Sequence, residues 1–256
     1  MTNGYLKKLL EKTEGKLSLS DKFHFFSNNK HLDNSGLIKI PEEWIKIHFK
    51  TYPRLQKINL KPLTKPTYLS KIIRGRFSAR NFSGKPMTKK NLFFMIQESA
   101  GLIRSGKSLN DSRRTYPSAG ARYPLELYPI ILKCNGMKKG LYHYNVKENC
   151  LELLLEKDLE KWIVKTTGNQ KWVEKATVIF AITGVFDRTR IKYGERGYRY
   201  VLIETGHLGQ NIGLLATELG FGSCALGGFI DSEVDTLLDI NLQQESILYL
   251  IAVGCL

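Results

Sequence analysis

The chain has 256 residues, of which 42% are hydrophobic and 25% charged, and it carries a formal net charge of +15. That apolar share supports a packed core in one large domain or two small ones. No run nears the roughly 18–20 uninterrupted apolar residues of a membrane span, and the start MTNGYLKKLLEKTEGK lacks the apolar segment of a secretory signal. Four cysteines, at 134, 150, 224 and 255, show no CxxC or CxxH pairing, which argues against a disulfide framework or zinc site and points to a reducing cytoplasm.

Residues 1–66 read as an extension of short helices and loops, closed by the proline-containing linker LKPLTKP (60–66); the main domain is then 67–256. YLSKIIRGRF opens a helical pattern. PMTKKNLFFMIQESAGLI predicts a helix with Thr88 as its N-cap and Gly101 as its stop. LELYPIILK (125–133) and GLYHYN (140–145) have strand character, and LELLL (151–155) alternates after a turn at Lys147–Asn149. The continuous apolar run KATVIFAITGVF (175–186) predicts a buried strand. A long helix follows from about Arg196 to Gly220, and SILYLIAVG (246–254) is a closing buried strand. Hairpin-like spacing among these strands predicts an α+β fold.

The charge is unevenly placed. Residues 51–100 hold eleven Lys or Arg and one acid, whereas 201–256 hold seven acids and no Lys or Arg. An anionic partner for the middle of the chain would explain this, and so would a merely lysine-rich surface. In the long helix Gly206, Gly209 and Gly213 form one stripe, at a cost on the order of 2–3 kcal/mol relative to alanine. Close approach of another element of the chain, of a flat ligand or of a second subunit would offset it.

Three segments carry candidate chemistry. In RGRFSARNF (74–82), arginines at 74, 76 and 80 surround Ser78; guanidinium forks and a hydroxyl suit phosphate oxygens, although a solvated basic turn has the same composition. No GxxxxGK[ST] or strand-following GxGxxG is present, so a P-loop or Rossmann site lacks support. In RRTYPSAGARYPLELYPI (113–130), Pro117 and Pro124 bracket the small residues Ser118-Ala119-Gly120, which would let backbone approach a flat ligand. LGFGSCALGGFI (219–230) reads as a glycine-rich loop after the long helix, with Cys224 as a buried structural cysteine. His207, one turn from Glu204, reads as a packed or capped histidine rather than a ligand. No metal-ligand set is expected.

In this order the three segments resemble the flavin-dependent nitroreductase superfamily, and within it the azoline (thiazoline/oxazoline) dehydrogenase branch that matures streptolysin-S-like and microcin-like peptides. RxSxRxF at 76–82 is similar to the flavin-phosphate and ribityl motif. RRTYPSAGARYPLELY is similar to the branch's distinctive segment, and FGSCALGGF to the flavin-ring loop. With YPRLQKINLKP upstream, the likeness runs from about residue 50 to the C-terminus. It implies a nitroreductase-like α+β fold, with an antiparallel-rich central sheet flanked by helices. It also implies an intertwined homodimer with FMN at the subunit interface, each site built from both chains, and 67–256 as the flavin-binding domain. By the same resemblance Arg76, Phe77, Ser78 and Arg80 contact phosphate and ribityl, Pro117, Ser118, Ala119 and Gly120 line the flavin, and Leu226, Gly227 and Gly228 face its ring. Two departures stand out: the Asn common four residues after the motif's Pro is Ala121 here, and the last basic residue is Arg199. Phosphate neutralisation then falls to the 74–80 cluster, with Arg113 or Arg114 as helpers.

RIKYGERGYRY (190–200) contains the adjacent pair Lys192-Tyr193. Oxidising an azoline to an azole sends a hydride to the flavin and a proton to a base, and the branch uses an adjacent Lys-Tyr pair for the proton. Tyr alone titrates near ~10, and a neighbouring ammonium favours the phenolate. Adjacent helical residues point about 100° apart, so convergence on one site calls for a non-helical start to the long helix, with Gly194 and Gly197 supplying the bend. The resulting expectation is an FMN-dependent azoline dehydrogenase acting on a precursor peptide beside a cyclodehydratase, without nucleic acid or membrane partners. An NAD(P)H-dependent nitroreductase-like reductase and a flavin-free binding subunit are the competing readings.

Overall fold

The sheet at the centre of the chain is built from its most apolar stretches. The structure, a computed structural model, describes residues 18–30, 50, 52–61, 65–104, 111–241 and 244–256. In chain order the elements are α1 (Leu19–Ser27), α2 (Tyr68–Gly75), β1 (Met87–Thr88), α3 (Lys89–Ala100), β2 (Leu102–Arg104), β3 (Arg113–Arg114), β4 (Leu125–Ile131), β5 (Cys134–Asn135) and β6 (Gly140–Asn145). They continue with β7 (Cys150–Glu156), α4 (Glu160–Thr166), β8 (Val178–Val185), α5 (Asp187–Tyr193), α6 (Arg196–Glu218), β9 (Phe221–Leu226), α7 (Asp231–Leu238) and β10 (Glu245–Cys255).

Six strands form one sheet in the order β7-β6-β4-β8-β10-β9, and every neighbouring pair is antiparallel. The inner strands β4, β8 and β10 are covered on both faces, which is why they read as apolar runs rather than alternations. On one face Met95 and Ile96 of α3 and Leu208 and Ile212 of α6 pack against Phe180 and Ile182. On the other, Ile163 of α4 and Val234 and Leu238 of α7 pack against Ile179 and Leu250. The expected α+β architecture is therefore present as helix, sheet and helix layers.

Several boundaries follow from local chemistry. Thr88 Oγ1 accepts the Asn91 N–H at 3.2 Å and starts α3, and Gly101 closes it with its N–H on the Gln97 carbonyl at 2.8 Å. Others differ from expectation. LGFGSCALGGFI is not wholly a loop: β9 occupies its first half, because Phe221–Leu226 finds a partner in β10, far along the chain. The stretch before the long helix is a separate helix, α5, ended by Gly194 at φ 55°.

Within the first 66 residues, α1 packs onto the main body. Its Asp21 pairs with Arg190, Glu195 Oε2 accepts the Ser20 N–H at 2.7 Å, and His24 Nδ1 lies 3.0 Å from Tyr198 Oη. Burial keeps His24 neutral, pushing its pKa down to about 4. Residues 62–64 of the expected linker lie outside the described residues.

At the α7–β10 junction Asp235 is buried, accepting the Ile247 N–H at 2.8 Å and the Ser246 hydroxyl at 2.9 Å. Burial, reinforced by Asp231 and Glu245, outweighs these bonds and raises its pKa to about 7. A raised folded-state value favours the protonated form, so its stabilising contribution is full below about pH 4 and declines as pH rises through about 7. That decline amounts to on the order of 4 kcal/mol. Asp235→Asn keeps an acceptor for Ile247 and should flatten the fall in denaturant midpoint between pH 4 and pH 7; an unchanged slope would exclude Asp235 as its source.

Candidate active site

The first group of expected site residues lies at the free edge of β9. After α2 the chain runs extended, Ser78 bridges Ser223 in parallel fashion, and the Ala79 N–H donates to the Ser223 carbonyl at 2.9 Å. Strand alternation then sends Ala79 into the core and Ser78 to the opposite side. There Arg76, Ser78, Gly206, Gly209, Gly213 and Ser223 line a cavity of about 140 Å³. Phe77 and Arg80 are exposed.

The glycine stripe has a divided explanation. A side chain at Gly209 would meet the Tyr249 ring at 3.3 Å, and one at Gly213 would meet Arg76 Cδ at 3.5 Å, so both permit close packing within the chain. Gly206 faces nothing within 4 Å. Leu226 is buried at the end of β9, and at Gly227 and Gly228 an added Cβ would again meet nothing within 4 Å. Around the Arg76 cavity it is Gly206 whose missing side chain leaves that side of α6 open.

The second group gathers around Pro117–Gly120. Gly120 has φ 61°, and Ala121 and Tyr123 follow at 52° and 46°, so the turn is held in left-handed backbone that non-glycine residues rarely adopt. Its bonds are specific: Tyr123 N–H to Ser118 Oγ at 2.8 Å, Arg114 N–H to Tyr123 Oη at 3.1 Å, and Ala119 N–H to Glu204 Oε1 at 2.8 Å. The left-handed φ of Ala121, 52°, is a conformation that asparagine tolerates better than alanine. Ala121→Asn should raise stability by about 0.5 kcal/mol, read as a higher urea midpoint; a lower midpoint would count against the strain argument. Arg114, expected as a helper for the phosphate, makes its contacts within the turn region in this chain. Its guanidinium donates to Tyr116 Oη at 3.3 Å and to the Leu125 carbonyl at 3.2 Å, bracing the turn from behind.

Lys192 and Tyr193 converge on this turn. A Cβ added at Gly120 would lie 2.7 Å from Tyr193 Oη and 3.0 Å from Lys192 Nζ. The ammonium sits 5.3 Å from the Tyr193 ring centroid. The expected non-helical start is not how this is achieved: both residues lie in the last turn of α5. Two long side chains can bend to one point despite their 100° offset, because α5 itself is pinned beside the turn. Arg122 Nε donates to the Arg188 carbonyl at 2.7 Å, and Arg188 donates to the Tyr123 carbonyl at 3.3 Å. Tyr200 packs edge-on against Tyr193 at 5.1 Å.

Two residues near the site were assessed differently from sequence. His207 is exposed rather than packed. Glu204, read only as a neighbour of His207, is 2% exposed and bonded to the turn. Burial pushes its pKa up, offset in part by the Ala119 N–H, the Ser118 hydroxyl and the charge of Arg114. A carboxylate one turn from tyrosine on an amphipathic helix was the available signal, but only the tertiary structure shows which face is covered. Cys224 is buried as expected, and burial raises its thiol pKa.

The two groups occupy opposite faces of α6. Glu204 and Asn211 face the loop at 115–119, whereas Gly206, Gly209 and Gly213 face the Arg76 cavity; at 3.6 residues per turn those sets lie roughly half a turn apart. One chain therefore brings Arg76 and Ser78 together with the glycine stripe, and Lys192 and Tyr193 together with Gly120, without joining the two groups.

An antiparallel six-stranded sheet layered between helices is a nitroreductase-type scaffold, and the sequence agrees: the nitroreductase family model matches residues 73–255, and the chain belongs to that family. The Methanocaldococcus jannaschii protein MJ1384, which carries the name nitroreductase, is 32% identical over 175 residues, covering 68% of this chain and 85% of that protein. The microcin B17-processing protein McbC of Escherichia coli is 31% identical over 144 residues, covering 54% of this chain and 52% of McbC, so the match spans about half of that relative. The E. coli microcin synthetase McbBCD complex with truncated pro-MccB17 bound contains a chain of the same fold, with a TM-score of 0.74 at 19% identity, covering 96% of this chain and 97% of that one. The likeness to peptide-processing members of the family is thus one of sequence, and the fold is shared with a chain of the McbBCD complex.

Proposed function

We propose that this protein is an FMN-dependent dehydrogenase that oxidises thiazolines or oxazolines in a precursor peptide to thiazoles or oxazoles. The observation that carries this reading is the meeting of Lys192 Nζ and Tyr193 Oη at Gly120, in the turn whose sequence resembles the flavin-lining segment of the branch. Bound FMN would supply the hydride acceptor; the protein must take the ring proton, and the neutral amine of Lys192 or the phenolate of Tyr193, whichever is the base, is positioned to receive it.

The residues present fit FMN in chemistry. Arg76 brings a planar donor fork and Ser78 a hydroxyl, suited to phosphate and ribityl oxygens, with Arg80 exposed two residues on. Phe77 completes that motif, Leu226, Gly227 and Gly228 would offer backbone N–H groups to the flavin ring, and Pro117, Ser118 and Ala119 would line the opposite half-site. A cavity of about 140 Å³ is well below the ~300–1,000 Å³ of ordinary small-molecule sites. Both this shortfall and the split across α6 support a homodimer in which each flavin lies between two chains. Leu55, Ile58, Leu60, Leu69, Ile73 and Phe77, each more than half exposed, supply apolar surface for such an interface. In this reading 67–256 is the flavin domain, and 1–66 is an extension that includes α1.

The exposed basic residues between 54 and 90 provide a docking surface for an acidic cyclodehydratase partner or leader peptide. A cytoplasmic location fits the four free cysteines. No helix among the described residues is long and apolar enough to cross a membrane. The test is mass spectrometry of an azoline peptide incubated with the FMN-loaded protein under air. Loss of two hydrogens per ring is expected; a protein that takes up no FMN, or loads it and leaves the rings intact, would overturn the reading. NADH bleaching of the flavin with no ring oxidation would favour the reductase alternative instead.

A further inference from the structure

A turn with three left-handed residues in four positions needs outside support, and α6 provides it at two points. Asn211 Nδ2 donates to the Thr115 carbonyl at 3.4 Å, and Glu204 Oε1 accepts the Ala119 N–H at 2.8 Å. The second contact is the more demanding. Glu204 is 2% exposed, and its Oε2 has no partner among the described residues. Burying a carboxyl with one oxygen unsatisfied costs free energy that an apolar residue would avoid. That cost is consistent with a requirement for an acceptor at this point. The residue after Ala119 is Gly120, against which Lys192 Nζ and Tyr193 Oη both rest.

We propose that Glu204 is a positioning residue for proton transfer: by accepting the Ala119 N–H it fixes Gly120 beside the amine of Lys192 and the phenol of Tyr193. What is positioned rests on the dehydrogenase reading above; the positioning itself does not. Glu204 touches neither reacting atoms nor the proton acceptors, so its effect has to travel through the turn. Glu204→Gln retains a carbonyl acceptor for Ala119, Glu204→Ala removes it, and Ala119→Pro removes the donor instead. In the last, the preceding Ser118 is already extended at φ −135°, ψ 139°, as a residue before proline requires, and the ring Cδ takes the place of the N–H hydrogen and turns the Glu204 carboxylate away.

Two measurements test the proposal. One is kcat and KM for azoline oxidation by the FMN-loaded protein. The other, made without flavin or substrate, is the NMR signal of 13C-dimethylated Lys192, assigned with Lys192→Arg. Glu204→Gln should keep kcat within about threefold and leave the Lys192 signal in place. Glu204→Ala and Ala119→Pro should lower kcat by roughly 10–100-fold at near-constant KM, as expected for a misplacement of about 1 Å, and both should move the Lys192 signal. If Glu204→Ala does not fold, Ala119→Pro decides. An unmoved Lys192 signal and wild-type kcat in either folded variant would overturn the proposal. A wild-type protein that oxidises no azoline, with the Lys192 signal moving as described, would remove the reaction and leave the positioning intact.

Discussion

Lys192→Ala and Tyr193→Phe should each retain FMN while losing on the order of 10²–10⁴ in azoline oxidation, seen as peptide masses that no longer fall by two hydrogens per ring. The expectation rests on geometry that the dipeptide alone did not supply. Side chains leaving a helix about 100° apart would ordinarily serve different surroundings, yet here both termini fall within 3.0 Å of one point at Gly120. Neither substitution disturbs the core, because Lys192 is exposed and Tyr193 half-buried, so folded, yellow variants are expected. Their relative severity separates the roles: the larger loss marks the group that takes the proton, and the smaller marks the one that tunes or orients it. Wild-type rates in both variants would exclude the pair.

Local sequence rules located most of the fold. Thr88 and Gly101 bound α3 because capping depends on a few adjacent residues, and β8 and β10 were legible because strands covered on both faces must be apolar throughout. Strand β9 was hidden because Gly222 within it and the glycines on either side mimic a loop; only pairing with β10 makes Phe221–Leu226 extended. The break between α5 and α6 depends on one left-handed glycine, Gly194, in a stretch whose composition is helical on both sides.

The candidate site was legible to the same degree and for the same reason. Motif residues that cluster within one segment, such as Arg76 with Ser78 and Pro117 with Gly120, are found together. What sequence could not show is how segments meet: that Arg114 is spent on Tyr116 and Leu125, or that Glu204 reaches Ala119 across 85 positions. Long-range contacts of this kind depend on which helical face the sheet covers. The division of the expected site residues between the two faces of α6 follows from the same cause, and it turns the glycine stripe from an oddity of composition into one wall of the Arg76 cavity.

Gly120→Ala separates stability from catalysis most sharply. At φ 61° a Cβ costs roughly 1–2 kcal/mol in backbone strain. It would also sit 2.7 Å from Tyr193 Oη and 3.0 Å from Lys192 Nζ, too close for either to stay. Those atoms are the far ends of flexible side chains at a partly exposed site, so they can swing aside without breaking the core. The clash is therefore expected to cost little stability and much function. Thermal midpoints should fall by only the few degrees that 1–2 kcal/mol represents in a protein of this size. Azoline oxidation should fall by at least about tenfold, because the displaced amine and phenol no longer share one point. Because Gly120 also belongs to the flavin-lining turn of the proposed site, turnover is compared on fully FMN-loaded protein, with the phosphate contacts at Arg76 and Ser78 left intact. A variant that keeps full turnover despite the added methyl would show that contact with Gly120 does not define the working geometry of Lys192 and Tyr193.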